Sequence, residues 1–167
     1  TPMFSGAELE AVINEAAIGA AMGNRDWVTQ GDLDEARDKV RWGRSRRSRV
    51  MTDEEKEALA YHEAGHALAH FLLPDAEPLH KVTIIPRGQA LGATMFLPER
   101  DRYIWGRRRL ETEITTLYAG RIAEKMCTGD LSTGAADDIK RATEMARRMV
   151  TQFGMSELGP ITYGEEE

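Results

Sequence analysis

The stretch ALAYHEAGHALAH, residues 58–70, decides how this chain is read. It sets His62, Glu63 and His66 in the spacing His-Glu-x-x-His, within a run of helical periodicity that includes Leu59 and Leu68. Residues four apart on a helix lie one above the other on the same face, so His62 and His66 can aim two imidazole nitrogens at one point. Zinc accepts such nitrogens at about 2.0–2.1 Å. Glu63 is rotated by about 100° from His62; it need not bind the ion and can reach a water in the open coordination position. The expectation is a peptide-bond hydrolase. Glu63 acts as general base on a water whose pKa the zinc ion lowers, then hands the proton to the leaving amine. The bland alternative is a helix that carries histidines by coincidence, and the fixed spacing of three specified residues weighs against it. Ala64, Gly65, Ala67 and Ala69 around the motif are small enough to let a second element and a metal come close.

His70 continues the four-residue spacing, but it lies about 12 Å along the helix axis from His62. One ion cannot take both, so His70 is read as a surface or packing residue. Six residues after His66, where another zinc-protease class has a third histidine, stands Leu72. A third ligand must come from further along the chain. His80 sits in a strand pattern, Glu124 late in a long helix, and Asp137 and Asp138 at the start of the last helix. Aspartates there are also ordinary helix-dipole residues. A set of two histidines and one carboxylate leaves a position open for water, which favours a carboxylate.

Outward from the motif, Thr52 and Glu55 form a capping box and Pro74 stops the helix near Leu72. HKVTIIP and ALGATMFLP, within residues 79–98 and separated by Arg87-Gly88, have the period of a strand pair. A long helix is expected over about 101–127, a break at TGDLSTGAADD, and a last helix over about 134–152 that ends near Gly154. Upstream, Ser5 with Glu8 caps a helix over residues 5–22, and Thr29 with Asp32 caps a second one. This hairpin is too small to bury a core alone. The stretch RWGRSRRSRV, residues 41–50, is read as a solvated linker in preference to a nucleic-acid or targeting patch, because no aromatic platform surrounds it. The fold expected is mainly α: a helical hairpin over residues 1–43, an arginine-rich linker over 44–50, and a helical unit with one small sheet over 51–167.

Composition narrows the function. Cys127 is the sole cysteine, which excludes an intrachain disulfide and a multi-thiolate zinc site. A net charge of −6 gives no overall reason to expect nucleic-acid binding. No run of 18 apolar residues spans a bilayer. The start at Thr1-Pro2 and the acidic end at Glu165, Glu166 and Glu167 are read as cut ends of a longer protein.

HEAGHALAH, KVTIIPRGQALGATMFLP and STGAADDIKRATEMARRMVTQFGMS, in this order, resemble the peptidase domain of the FtsH family, the membrane-anchored, ATP-dependent zinc metalloproteases of the AAA type (peptidase family M41). FSGAELEAVINEAA and VTQGDLDEARDKV are similar to the end of that family's ATPase lid. The resemblance implies Asp138 as third zinc ligand beside His62 and His66, with one zinc per chain, and Asp137 as its non-ligand neighbour. It places Glu124 near the metal as a carboxylate that steadies a ligating histidine. It puts Gly6 and Ala7 near the nucleotide of the parent's ATPase. It also implies a homo-hexameric parent fed with unfolded polypeptide, in a bacterial inner membrane with this part facing the cytoplasm; a mitochondrial inner membrane is the second choice. No G-x-x-x-x-G-K-[ST] loop is present, so ATP and Mg²⁺ belong to the full-length parent, as does the membrane anchor.

Gly92 lies within a strand pattern, where glycine marks either a bulge or a close backbone approach. Leu91, Gly92, Ala93, Thr94 and Met95 are therefore a candidate edge to which an extended substrate adds as a strand. The competing class of function is a non-catalytic ring-assembly module of an AAA protein. The intact set His62, Glu63, His66 and Asp138 argues against it.

Overall fold

The computed structural model describes residues 4–45, 50–86, 91–97 and 103–164. Five α-helices, one short 3₁₀ turn and one two-stranded antiparallel sheet make up the regular structure of these residues. The fold is mainly α, as expected.

Helices α1 (Gly6–Met22), α2 (Gln30–Trp42) and α3 (Asp53–Leu72) each start with a complete capping box. The hydroxyl of Ser5, Thr29 or Thr52 accepts from the backbone N–H three residues on, and the acid at that position accepts from the cap's own N–H. α1 and α2 form a hairpin turned by Gly23 and by Asn24, which takes the left-handed φ of 57°. Arg25 clamps the turn with a two-pronged bond to Asp32 at 2.6 Å on both arms. Between the helices lies a small apolar cluster of Val12, Ala16 and Ala36, flanked by Phe4, Leu33 and Val40.

The hairpin meets the rest of the chain through a buried charge. Asp38 is 1% exposed, and its carboxylate takes Lys81 Nζ at 2.7 Å and Arg37 Nη2 at 3.2 Å. His80 Nε2 lies 2.7 Å from the same guanidinium nitrogen and 3.3 Å from Asp38 Oδ1, and the His80 ring stacks on Trp42. His80 is thereby removed from the candidates for a third metal ligand, since this polar knot holds its ring.

Lys81 and His80 belong to strand β1 (Leu79–Thr83), which pairs with β2 (Ala93–Phe96) in the register Val82↔Thr94 and Thr83↔Ala93. The register shifts between Leu79 and Lys81, so the irregularity expected as one option at Gly92 sits at His80 instead. Leu91 and Gly92 precede β2, and the turn residues Arg87 and Gly88 lie outside the described residues.

Helix α4 is Arg107–Thr128, starting well after the expected residue 101. Gly106 explains the late start: inside a helix it would cost about 1 kcal/mol relative to alanine, whereas as N-cap it keeps an extended conformation. Gly129, at φ 77°, supplies the left-handed residue that closes α4. A 3₁₀ turn, Thr133–Ala135, follows, and helix α5 runs over Ala136–Thr151. The expected start at residue 134 thus divides into a tight turn and a later α-helix.

α3 packs on α4 at very short range. A Cβ on Gly65 would lie 2.5 Å from the Ala119 carbonyl oxygen and 2.6 Å from Ala123 Cβ. Only glycine at 65 allows the two backbones this approach. β2 lies across α3, and the 3₁₀ turn and α5 pack on α4, with Ala135 of the turn and Ala142 and Met149 of α5 buried.

Candidate metal centre

The α3–α4–α5 seam gathers three ligand atoms. His62 Nε2 and His66 Nε2 are 3.0 Å apart, and Asp138 Oδ2 is 3.2 Å from each. Four ligands held tetrahedrally at zinc distances are separated by about 3.3 Å, so this triangle has the dimensions of one face of such a site. Each side contributes by a local rule. The two histidines are one helical turn apart on α3, and Asp138 stands in the first turn of α5. Asp137, its neighbour, is exposed and is not in the cluster.

The hydrogen bonds around the rings decide where their lone pairs point. His66 Nδ1 donates to the Thr116 carbonyl at 2.7 Å, so its Nε2 carries the free pair. His62 Nδ1 faces Glu124 Oε2 at 3.6 Å, longer than a hydrogen bond. Glu124 is buried and is itself held by the Ser132 backbone N–H at 2.8 Å. A carboxylate or carbonyl behind a ligating imidazole is the usual arrangement at a metal. Two imidazole lone pairs and a carboxylate oxygen meeting in a nearly buried space repel one another unless a cation lies between them. The donor set of two nitrogens and one carboxylate oxygen suits zinc and leaves a coordination position free.

The floor beneath the rings is Gly120 of α4, where a Cβ would lie 2.5 Å from His66 Nε2 and 2.9 Å from His62 Cε1. Any side chain at 120 displaces the histidines. Thr116 and Gly120 were not singled out from the sequence, although a signal was there. Thr112, Thr116, Gly120 and Glu124 recur every four residues, and all four are buried.

Glu63 lies beside the cluster, 6% exposed. Burial pushes its carboxyl up from the ordinary range, against the pull of the Thr94 hydroxyl and of His66 and His62. Asp138 behaves oppositely: burial raises it, but hydrogen bonding to His62 and His66 outweighs burial and holds it well below the carboxylate range. His66 is held above its ordinary value; burial works against this, and Asp138 and the Thr116 carbonyl overcome it.

His70 is a packing residue. It stacks on Phe96 with ring centroids 3.5 Å apart, and its Nδ1 donates to the Glu77 carbonyl at 3.2 Å. Gly6 and Ala7 stand exposed in the first turn of α1, remote in sequence from the cluster.

A helical domain with such a centre on a His-Glu-x-x-His helix has the make-up of a metallopeptidase. The family model for peptidase family M41 matches residues 49–167, and the chain belongs to that family. It is similar to proteins named ATP-dependent zinc metalloprotease FtsH: 54% identical over 167 residues to that of Acidobacterium capsulatum, covering 100% of this chain and 26% of the relative. The same name and 54% identity over 170 residues hold for Haemophilus influenzae and for Buchnera aphidicola subsp. Baizongia pistaciae, with 27% and 28% of those proteins covered. The chain therefore spans about a quarter of the length of the curated relatives it matches. No helix of the described residues is long and apolar enough to cross a membrane.

Proposed function

We propose that this chain is the peptidase part of a zinc-dependent endopeptidase, with His62, His66 and Asp138 as ligands and Glu63 as general base. The convergence of three ligand atoms within 3.2 Å beside a buried glutamate carries the reading. Bound there, zinc supplies a Lewis acid that polarises a peptide carbonyl and makes a water acidic. The protein's own groups do the rest. The Thr116 carbonyl fixes the His66 imidazole with its Nε2 facing inward, and Glu124 stands 3.6 Å behind His62 Nδ1. Glu63, whose burial raises its affinity for a proton, takes one from the attacking water and passes it to the departing amine. Asp138 supplies the negative charge that holds the cation between the helices.

The names of the relatives support a wider reading of the parent protein. In it, residues 1–43 are the end of an ATPase lid, Gly6 and Ala7 lie near the nucleotide, and ATP with Mg²⁺ drives unfolded polypeptide into a homo-hexameric ring. All of the relatives named above are bacterial, in keeping with a parent anchored in a bacterial inner membrane and facing the cytoplasm. Residues 91–95 serve as the substrate edge. No strand of the described residues pairs with β2 on the side away from β1, and Thr94 contacts Glu63.

Elemental analysis of zinc per chain, paired with cleavage of unfolded casein, tests the centre in wild type and Glu63→Gln. Near one zinc in both, with cleavage reduced at least about 100-fold in the variant, is expected. A folded wild type that takes up no zinc overturns the reading. Casein bound to the zinc-loaded Glu63→Gln protein should slow amide hydrogen exchange at residues 93–96; unchanged exchange there removes the edge.

A further inference from the structure

We propose that Thr94 is a positioning residue for Glu63, anchoring one carboxylate oxygen so that the other alone exchanges the proton. The inference builds on Glu63 as general base. It starts from how β2 crosses α3. Alternate residues of a strand face the same side, and positions 92, 94 and 96 all meet α3. Gly92 and Thr94 lie against Glu63, and Phe96 lies on His70, two turns further along the helix.

The contact at Thr94 is specific. Its hydroxyl donates to Glu63 Oε2 at 2.6 Å, the length of a bond to a charged oxygen, and lies 3.0 Å from Glu63's own carbonyl. Oε1 receives no hydrogen bond from any described residue. It lies instead against Gly92, where a Cβ would come within 2.8 Å of it. The strand thus treats the two oxygens differently: it bonds one and merely makes room for the other. Oε2 can accept the Thr94 proton whether or not Oε1 is protonated, so the anchor survives both halves of the proton cycle. Oε1 gains the water's proton and later loses it to the amine, and Thr94 keeps its own. A glutamate with several rotatable bonds is held in one orientation throughout, which is how positioned groups lower a barrier.

β2 in turn depends on β1. Thr94 pairs with Val82, and a Cβ on Gly92 would lie 3.0 Å from the Thr83 carbonyl oxygen, so strand register sets the hydroxyl on the helix.

Zinc-loaded Thr94→Val, Thr94→Ser and Glu63→Gln are compared with wild type on a flexible peptide. Removing a hydrogen bond to a charged group is worth roughly 10–100-fold. Thr94→Val should lose that much in kcat with KM and zinc content unchanged, while Thr94→Ser stays within a few-fold of wild type. Full kcat in Thr94→Val overturns the inference, as does Thr94→Ser as slow as Thr94→Val, or a loss confined to KM. Metal-free protein gives an independent readout, because Thr94→Val and Glu63→Ala should be non-additive in thermal midpoint; additive effects overturn the inference. An active Glu63→Gln would instead bring down the base assignment itself, so the two failures are distinguishable.

Discussion

Asp38 and Asp138 are both aspartates withdrawn from water, each with histidine nearby, and they are used in opposite ways. Asp38 meets two permanent cations, Lys81 at 2.7 Å and Arg37 at 3.2 Å. Its charge is settled inside the protein, and the result is a joint between α2 and β1. Asp138 is paired with no lysine or arginine among the described residues; its Oδ2 faces two imidazole nitrogens, and the Thr116 carbonyl holds the His66 ring from behind. The charge there is left for something from outside to neutralise. A buried acid with its cations in place holds a fold together, while a buried acid among neutral lone pairs makes a place for a metal.

The largest effect should come from breaking the second arrangement. Asp138→Asn keeps the shape and removes the proposed anionic ligand, and zinc affinity measured by chelator competition should fall by at least about 100-fold. Unchanged affinity would erase the distinction between the two aspartates. At the first arrangement, Asp38→Asn takes the counter-charge from Lys81 and leaves Arg37 only Asp34, at 3.2 Å, with a cost of about 3 kcal/mol. For a chain of this size the melting midpoint should drop by roughly 6–12 °C, while zinc affinity stays as in wild type. A drop under a degree would mean that the joint carries no stability.

The smallest effect is one of pH. Burial raises the Asp38 carboxyl, but bonds from Lys81 and Arg37 prevail and its pKa is lowered in the fold. The folded protein therefore binds this proton less readily than the unfolded chain. The stabilisation is complete above the unfolded value near 3.9 and is lost as pH falls through the lower folded value. The gap in melting midpoint between wild type and Asp38→Asn should be constant from about pH 7 to 5 and narrow below about pH 4. A gap that widens in acid would contradict the sign of the shift.

These two sites were unequally legible. His62 and His66 were readable because a helix of known pitch turns a spacing of four into a shared face. The starts of α1, α2 and α3 were readable because a capping box is complete within four residues. Asp138 could be told from Asp137 only by resemblance, since adjacent residues at a helix start have the same local chemistry; rotation of α5 against α3 turns one inward and leaves the other in solvent. His80 looked like a possible ligand, and only the docking of α2 against β1 gives it to Asp38.

The amino-acid sequence by itself determined what short-range periodicity and capping control: mainly helical structure, two histidines and a glutamate on one helix, and a short strand pair. Tertiary structure alone decided which distant groups complete the site. Thr94 comes to Glu63 across a strand crossing, Thr116 offers a carbonyl to His66, and Gly120 makes room for both rings. The physical reason is that these contacts join residues 31, 50 and 58 positions apart: Glu63 to Thr94, His66 to Thr116, and His62 to Gly120. Nothing in the local pattern of either partner carries the packing angle that brings them together.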